Sequence, residues 1–162
     1  MYRCGLVVAI ILLSCSLGPS QEAPGLSPSD KKSIDDLFAD YAQAYIAKDY
    51  VKLRECLQAP FIGVSSSGPS IVSTLDGVIA IYHTGRDQLD QRGYADAKPK
   101  GAVRISVLAR DLVLVNREYS RYKVDGSLLE EVAGFYLVSK SSGKWKIAGT
   151  IAQDSVFVGK VY

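Results

Sequence analysis

Few residues in this chain of 162 have side chains suited to chemistry, and they are scattered. His83 is the single histidine, with Arg86 and Asp87 just after it. An imidazole there could act as a general base. The plainer reading is a half-buried or solvated helical histidine beside an ion pair, because no partner is placed by spacing to work with it. Cys56 lies between Leu53 and Leu57. That position suits a small buried apolar residue better than a reactive thiolate. Three Cys and one His show no metal-ligand spacing, so neither a metal nor any other cofactor is expected. No catalytic residue is assigned.

A binding site is easier to assemble from types. Ten Tyr stand against four Phe, and aromatic walls with phenolic tips suit a small amphipathic molecule. They also suit a core whose hydroxyls reach the rim. Tyr41, Tyr45, His83, Tyr94, Tyr119, Arg121, Tyr136 and Trp145 are the candidate pocket-lining residues, with Tyr82 close by. Arg117, Tyr119 and Arg121 alternate on one face of a strand-like run, while Asn116, Glu118, Ser120 and Tyr122 alternate on the other. Alternation alone does not choose the inward face. Arg104 and Glu131 on neighbouring strands either continue that lining or pair across the sheet.

Helices come first. Ser27-Pro28-Ser29-Asp30 is a helix start, with a hydroxyl cap, an early Pro and an acid in the first turn. Ile34, Leu37, Phe38, Tyr41 and Tyr45 follow at the spacing of one helical face. Asp49 caps a short second helix that Pro60 ends, and Thr74 caps a third that Gly93 stops. A short strand is expected over residues 61–64 and another at 71–72. From Ala102 the pattern turns to β: alternation at Val103, Ile105 and Val107, then runs over 112–124, 128–139 and 144–158. Asp125-Gly126 reads as a hairpin turn. Helices followed by an antiparallel meander imply an α+β fold rather than alternating βαβ units. A strongly curved sheet around the helices would leave a concave interior suited to a ligand.

The chain begins differently. Arg3 supplies a positive start, residues 5–13 are an unbroken apolar run, and small residues follow. Residues 1–20 therefore read as a signal peptide, too short in its apolar part for a membrane span. Leu12-Leu13-Ser14-Cys15 resembles the bacterial lipobox, which would make Cys15 the lipidated N-terminus and a membrane tether. Ordinary cleavage nearby, after Ser20, is the alternative. Either places the mature chain outside the cytoplasm, as an anchored lipoprotein or a periplasmic or secreted protein. Residues 21–29 read as a flexible tether and 30–158 as the folded domain. Lys and Arg number 19 against 17 acids, spread without a basic run, which argues against a nucleic-acid partner.

Three local features carry a resemblance. Phe38-x-x-Tyr41-x-x-Ala44-x-x-Ala47-Lys48-Asp49, the Asp125-Gly126 hairpin and Gly143-Lys144-Trp145-Lys146-Ile147 together resemble the ketosteroid-isomerase and nuclear-transport-factor-like (SnoaL-like) superfamily, and uncharacterised bacterial members most closely. The resemblance implies a cone-shaped barrel of N-terminal helices on a curved antiparallel sheet. It also places Tyr41 where the isomerases carry an oxyanion-hole tyrosine. Their general base would fall near Ser65 and their second acid near Phe135. A Ser without its own base cannot take a proton from carbon, and a Phe cannot donate to an enolate. The expectation is non-catalytic binding of a small molecule or protein partner. A SnoaL-like, dehydratase-like or isomerase-like enzyme and a dimerising module, forming a homodimer through the open sheet face, are the alternatives.

Overall fold

The computed structural model describes residues 25–141 and 143–153. The expected signal peptide with Cys15, residues 21–24 of the tether and the stretch after residue 153 lie outside the described residues.

Each helix begins where a short side chain satisfies a free backbone N–H. In α1 (Pro28–Ala47) the Ser27 hydroxyl accepts from the Asp30 N–H at 3.1 Å, so the helix starts two residues inside the segment read as a tether. Asp49 caps α2 (Tyr50–Cys56) by accepting from Lys52 N–H at 3.0 Å. Thr74 caps α3 (Leu75–Gln91) through Gly77 N–H at 3.2 Å. Among the described residues no helix is long and apolar enough to cross a membrane.

Six strands complete the described residues, two of them before α3 and four after it: β1 (Leu57–Ser65), β2 (Gly68–Val72), β3 (Tyr94–Ala109), β4 (Leu112–Lys123), β5 (Leu128–Ser139) and β6 (Lys146–Gln153). They form one curved, unclosed sheet in the order β2-β1-β6-β5-β4-β3. Every pairing is antiparallel except β1 with β6, which is parallel, so the sheet is mixed. Pro60 does not end a helix; it sits inside β1. It falls in the gap between Leu57 and Ile62, where the β1–β6 register slips, so its missing N–H leaves no ladder bond unmade. The third long strand starts eight residues before the expected Ala102, at Tyr94. A register break between Lys100 and Arg104, with Gly101 at φ +68°, bends it.

The core lies between the inner sheet face and the helices. Ile34 and Phe38 of α1, Leu53, Leu57, Val78, Val113, Val115, Val138 and Ile147 are all buried together. The β1–β6 seam is tight. A Cβ added to Gly149 would stand 2.5 Å from the Ile62 carbonyl oxygen, a backbone atom that cannot step aside alone. Gly149→Ala is expected to lower stability by about 1–3 kcal/mol, the usual cost of overpacking. An unchanged urea midpoint would contradict that seam.

Candidate functional site

The curvature leaves a cavity of about 660 Å3 between α1, α3 and the inner sheet face. Residue parity on β4 decides what faces it. Val113 and Val115 are fully buried against the helices, so Arg117, Tyr119 and Arg121 point the same way. Asn116 and Glu118 point outward; Asn116 Nδ2 donates to Gln153 Oε1 at 2.9 Å.

Six of the residues expected in a pocket meet at this cavity: Tyr41, Tyr45, Tyr94, Tyr119, Arg121 and Tyr136. Tyr41 and Tyr45 lie one turn apart on α1, with ring centroids 6.3 Å apart. Tyr82 of α3 approaches both edge-on at 6.0 Å and Phe61 at 6.1 Å. Tyr136 of β5 meets the Tyr41 ring at 6.0 Å and Phe38 at 5.1 Å. The Tyr41 hydroxyl donates to that of Tyr82 across 3.4 Å. Burial pushes the phenols of Tyr41, Tyr82 and Tyr136 well above their ordinary range, and repulsion from neighbouring phenols adds to it. They are neutral donors at any physiological pH. The hydroxyls of Tyr94 and Tyr119 are buried in the wall without a hydrogen-bond partner.

Arg121 lines the cavity and donates to Glu130 at 2.7 Å. Glu130 is shared with Arg92 at 2.5 Å. Burial opposes the charge on Glu130, but the two guanidiniums outweigh it and hold the carboxyl below its usual range. Glu131 also borders the cavity, with its carboxylate 2.6 Å from Lys100. Ser65 and Phe135, the two positions to which the resemblance assigns the isomerase acids, border it as well.

Two expected pocket residues stand elsewhere. His83 is exposed, stacks on Tyr50 at 4.8 Å and places Nδ1 3.0 Å from Asp87. One residue after Tyr82, it is turned about 100° around the helix from the cavity face. Trp145 is buried at the other end of α1, where its Nε1 donates to Asp30 at 2.8 Å. Lys140 and Ser27 also bond Asp30, and these bonds, led by that from Lys140, depress its carboxyl strongly. Asp30 and Tyr45 are fifteen positions apart on one helix, about 22 Å at the α-helical rise. The Gly143-to-Ile147 segment thus locks the start of α1 and takes no part in the cavity. Cys56 is buried, its thiol pushed up to about 11 by burial.

The residue that sequence reasoning missed is Arg86, read only as part of an exposed pair with Asp87. It is buried, with Nε 2.8 Å from Asp90 and Nη1 donating to the carbonyls of Tyr45 and Ile46 at 2.6 and 2.7 Å. Its guanidinium lies 4.6 Å over the Tyr94 ring. The signal was present: Val78, Tyr82, Arg86 and Leu89 share one helical face.

Comparison with known proteins agrees with this geometry. A family model described as NTF2-like protein (DUF6841) matches residues 30–155. The structure resembles Aln2 from a Streptomyces species, at TM-score 0.65 and 11% identity over 85% of this chain and 97% of that one. It also resembles a protein of unknown function with a cystatin-like fold from Nostoc punctiforme, at TM-score 0.63 and 14% identity over 80% and 96%. An NTF-2 like protein of unknown function from Shewanella oneidensis superposes at TM-score 0.60 and 16% identity over 76% and 98%. A search of the curated proteins gave no match.

Proposed function

The chain belongs to the NTF2-like family (DUF6841), and on that footing we propose that it is a non-catalytic binding protein for a small, flat, largely apolar molecule held in the tyrosine-lined cavity. One observation carries the reading: a hollow of about 660 Å3, walled by aromatic rings from α1, α3 and the sheet, falls in the size range of ligand sites. Catalysis at carbon finds less support. The one acidic residue lining the hollow, among the described residues, is Glu131, whose carboxylate is paired with Lys100, and Glu130 beside the wall is tied to Arg121 and Arg92. The phenols are too weakly acidic to act as bases near neutrality. Read with its N-terminal segment, the protein works outside the cytoplasm, tethered through a lipidated Cys15 or released by cleavage.

A second reading, a homodimer, rests on the outer sheet face. There Ile62 and Ile71, paired across β1 and β2, are 41% and 71% exposed. The two readings are compatible, since neither residue lines the cavity.

The test uses prodan, a neutral naphthalene fluorophore. It is expected to bind one-to-one with a blue-shifted emission. Ala97, on the cavity wall, is the blocking position. Ala97→Trp should weaken binding by about tenfold or more, or 1.4 kcal/mol, with unaltered far-UV circular dichroism. Equal binding by both proteins would place the dye elsewhere, and absence of binding to the wild type would end the proposal.

A further inference from the structure

We infer that the cavity takes an aromatic carboxylate, its ring among the tyrosines and its anionic head against Arg121. This deepens the binding reading and rests on it. The argument is one of charge balance. Arg121 is the one cationic residue on the cavity wall among the described residues, and its guanidinium lies 6.0 Å from the Tyr94 ring centroid. Its carboxylate partner Glu130 also serves Arg92, so one negative charge answers two positive ones.

The surroundings repeat the pattern. Asp90 is shared between Arg86 and Lys48, again one acid for two bases. Arg117, two positions before Tyr119 on the same face of β4, lies 4.5 Å over Phe38 and 5.8 Å from the Tyr119 ring. Its Nε is buried with no partner, and among the described residues no carboxylate pairs with it. Against this stand Asp96, near Tyr94 but bonded to its neighbour's N–H, and Glu131, held by Lys100. The balance inside the wall is positive. Tyrosine rings keep water's dielectric away, which strengthens an anion's attraction to the guanidinium. A guanidinium fork also fits a carboxylate's two oxygens. A neutral molecule gains the aromatic contact and none of this. An ammonium is repelled.

Three isosteric probes separate the inference from its premise: naphthoate, naphthalenemethanol and naphthylmethylammonium, titrated into the folded domain by calorimetry at low and high salt. Naphthoate is expected to bind about tenfold or more tighter than the alcohol, as a charge-assisted pair implies, and the ammonium weakest. Added salt should narrow the gap. In Arg121→Gln the naphthoate-to-alcohol ratio should collapse toward one, while Arg121→Lys keeps part of it. Should Arg121→Gln prove unfolded by circular dichroism, the salt series and Arg121→Lys carry the test alone. An alcohol or ammonium that binds as tightly as naphthoate overturns the anion inference and leaves the cavity reading standing. A preference that survives in Arg121→Gln also overturns it. Failure of all three probes, and of prodan, overturns the cavity reading and this inference with it.

Discussion

Arg86→Ala is expected to cost about 3 kcal/mol of folding stability and to weaken binding in the cavity, as the loss of donors to buried carbonyls implies. The side chain is 5% exposed and works as a bracket between two helices. The last turn of α1 contains no basic residue of its own, so its final carbonyls lack the cation that helix ends favour. Arg86 supplies it from α3, donating to Tyr45 and Ile46 oxygens. The Ile46 carbonyl left without a donor costs about 1–3 kcal/mol, the Tyr45 carbonyl keeps only a 3.4 Å bond from the Lys48 N–H, and the contact with the Tyr94 ring is lost as well. Asp90 is not stranded, because Lys48 still reaches it, which keeps the total below the cost of orphaning a buried charge. Arg86→Met separates shape from charge: it refills the volume yet should still lose most of the stability. Arg86→Lys should recover part, since one ammonium cannot reproduce the fork that spans Asp90 and two carbonyls. Chemical denaturation reads all three. A methionine variant as stable as the wild type would mean the bracket contributes only packing.

That bracket marks the limit of what local sequence shows. Helix starts were legible because Ser27, Asp49 and Thr74 each bond a backbone N–H within three residues. The hairpin at Asp125-Gly126 and the span of β5 were legible for the same reason: turn chemistry and alternation are written in adjacent residues. The first half of β3 was not. Residues 94–101 carry Lys, Pro, Gly and Asp, a composition that reads as loop, and they are strand because β4 offers a ladder to pair with. Pro99 is tolerated since β3 is an edge. The parallel seam of β1 with β6 joins segments some ninety residues apart, and nothing local announces it.

The candidate site divides the same way. Tyr41 and Tyr45 could be placed from their spacing on α1. Arg117, Tyr119 and Arg121 could be grouped but not oriented, because the buried partners that fix the inward face, Val113 and Val115, precede a stretch that is polar on both sides. Trp145, just ahead of β6, was misplaced because it bonds Asp30 at the beginning of α1, far from the tyrosines of that helix. His83 was misplaced because chemical type was weighed ahead of helical phase.

Raising the pH should destabilise the fold steeply above about pH 10, and this is the second large effect. In the unfolded chain a tyrosine loses its proton near 10. In the folded protein burial, reinforced by neighbouring phenols, holds Tyr41, Tyr82 and Tyr136 protonated well beyond that. The bond that Tyr82 accepts from Tyr41 acts in the opposite direction, and desolvation outweighs it. A pKa raised on folding means the unfolded state sheds protons that the native state keeps. Stability is therefore full below the unfolded value and falls as pH climbs past it. Each such group contributes a slope of about 1.4 kcal/mol per pH unit. Three acting together would give about 4 kcal/mol per unit, enough to unfold a domain of ordinary stability within a few units. Urea midpoints between about pH 9 and pH 11 measure the slope, and tyrosinate absorbance followed in parallel should show these phenols ionising only as the fold is lost. Tyr82→Phe should flatten the slope by about 1.4 kcal/mol per pH unit. If every tyrosine instead titrates smoothly near 10 while the fold persists, the hydroxyls are well hydrated. The cavity would then be a wet cleft in which a guanidinium such as Arg121 is screened, and neither its aromatic walls nor its positive balance would select a ligand.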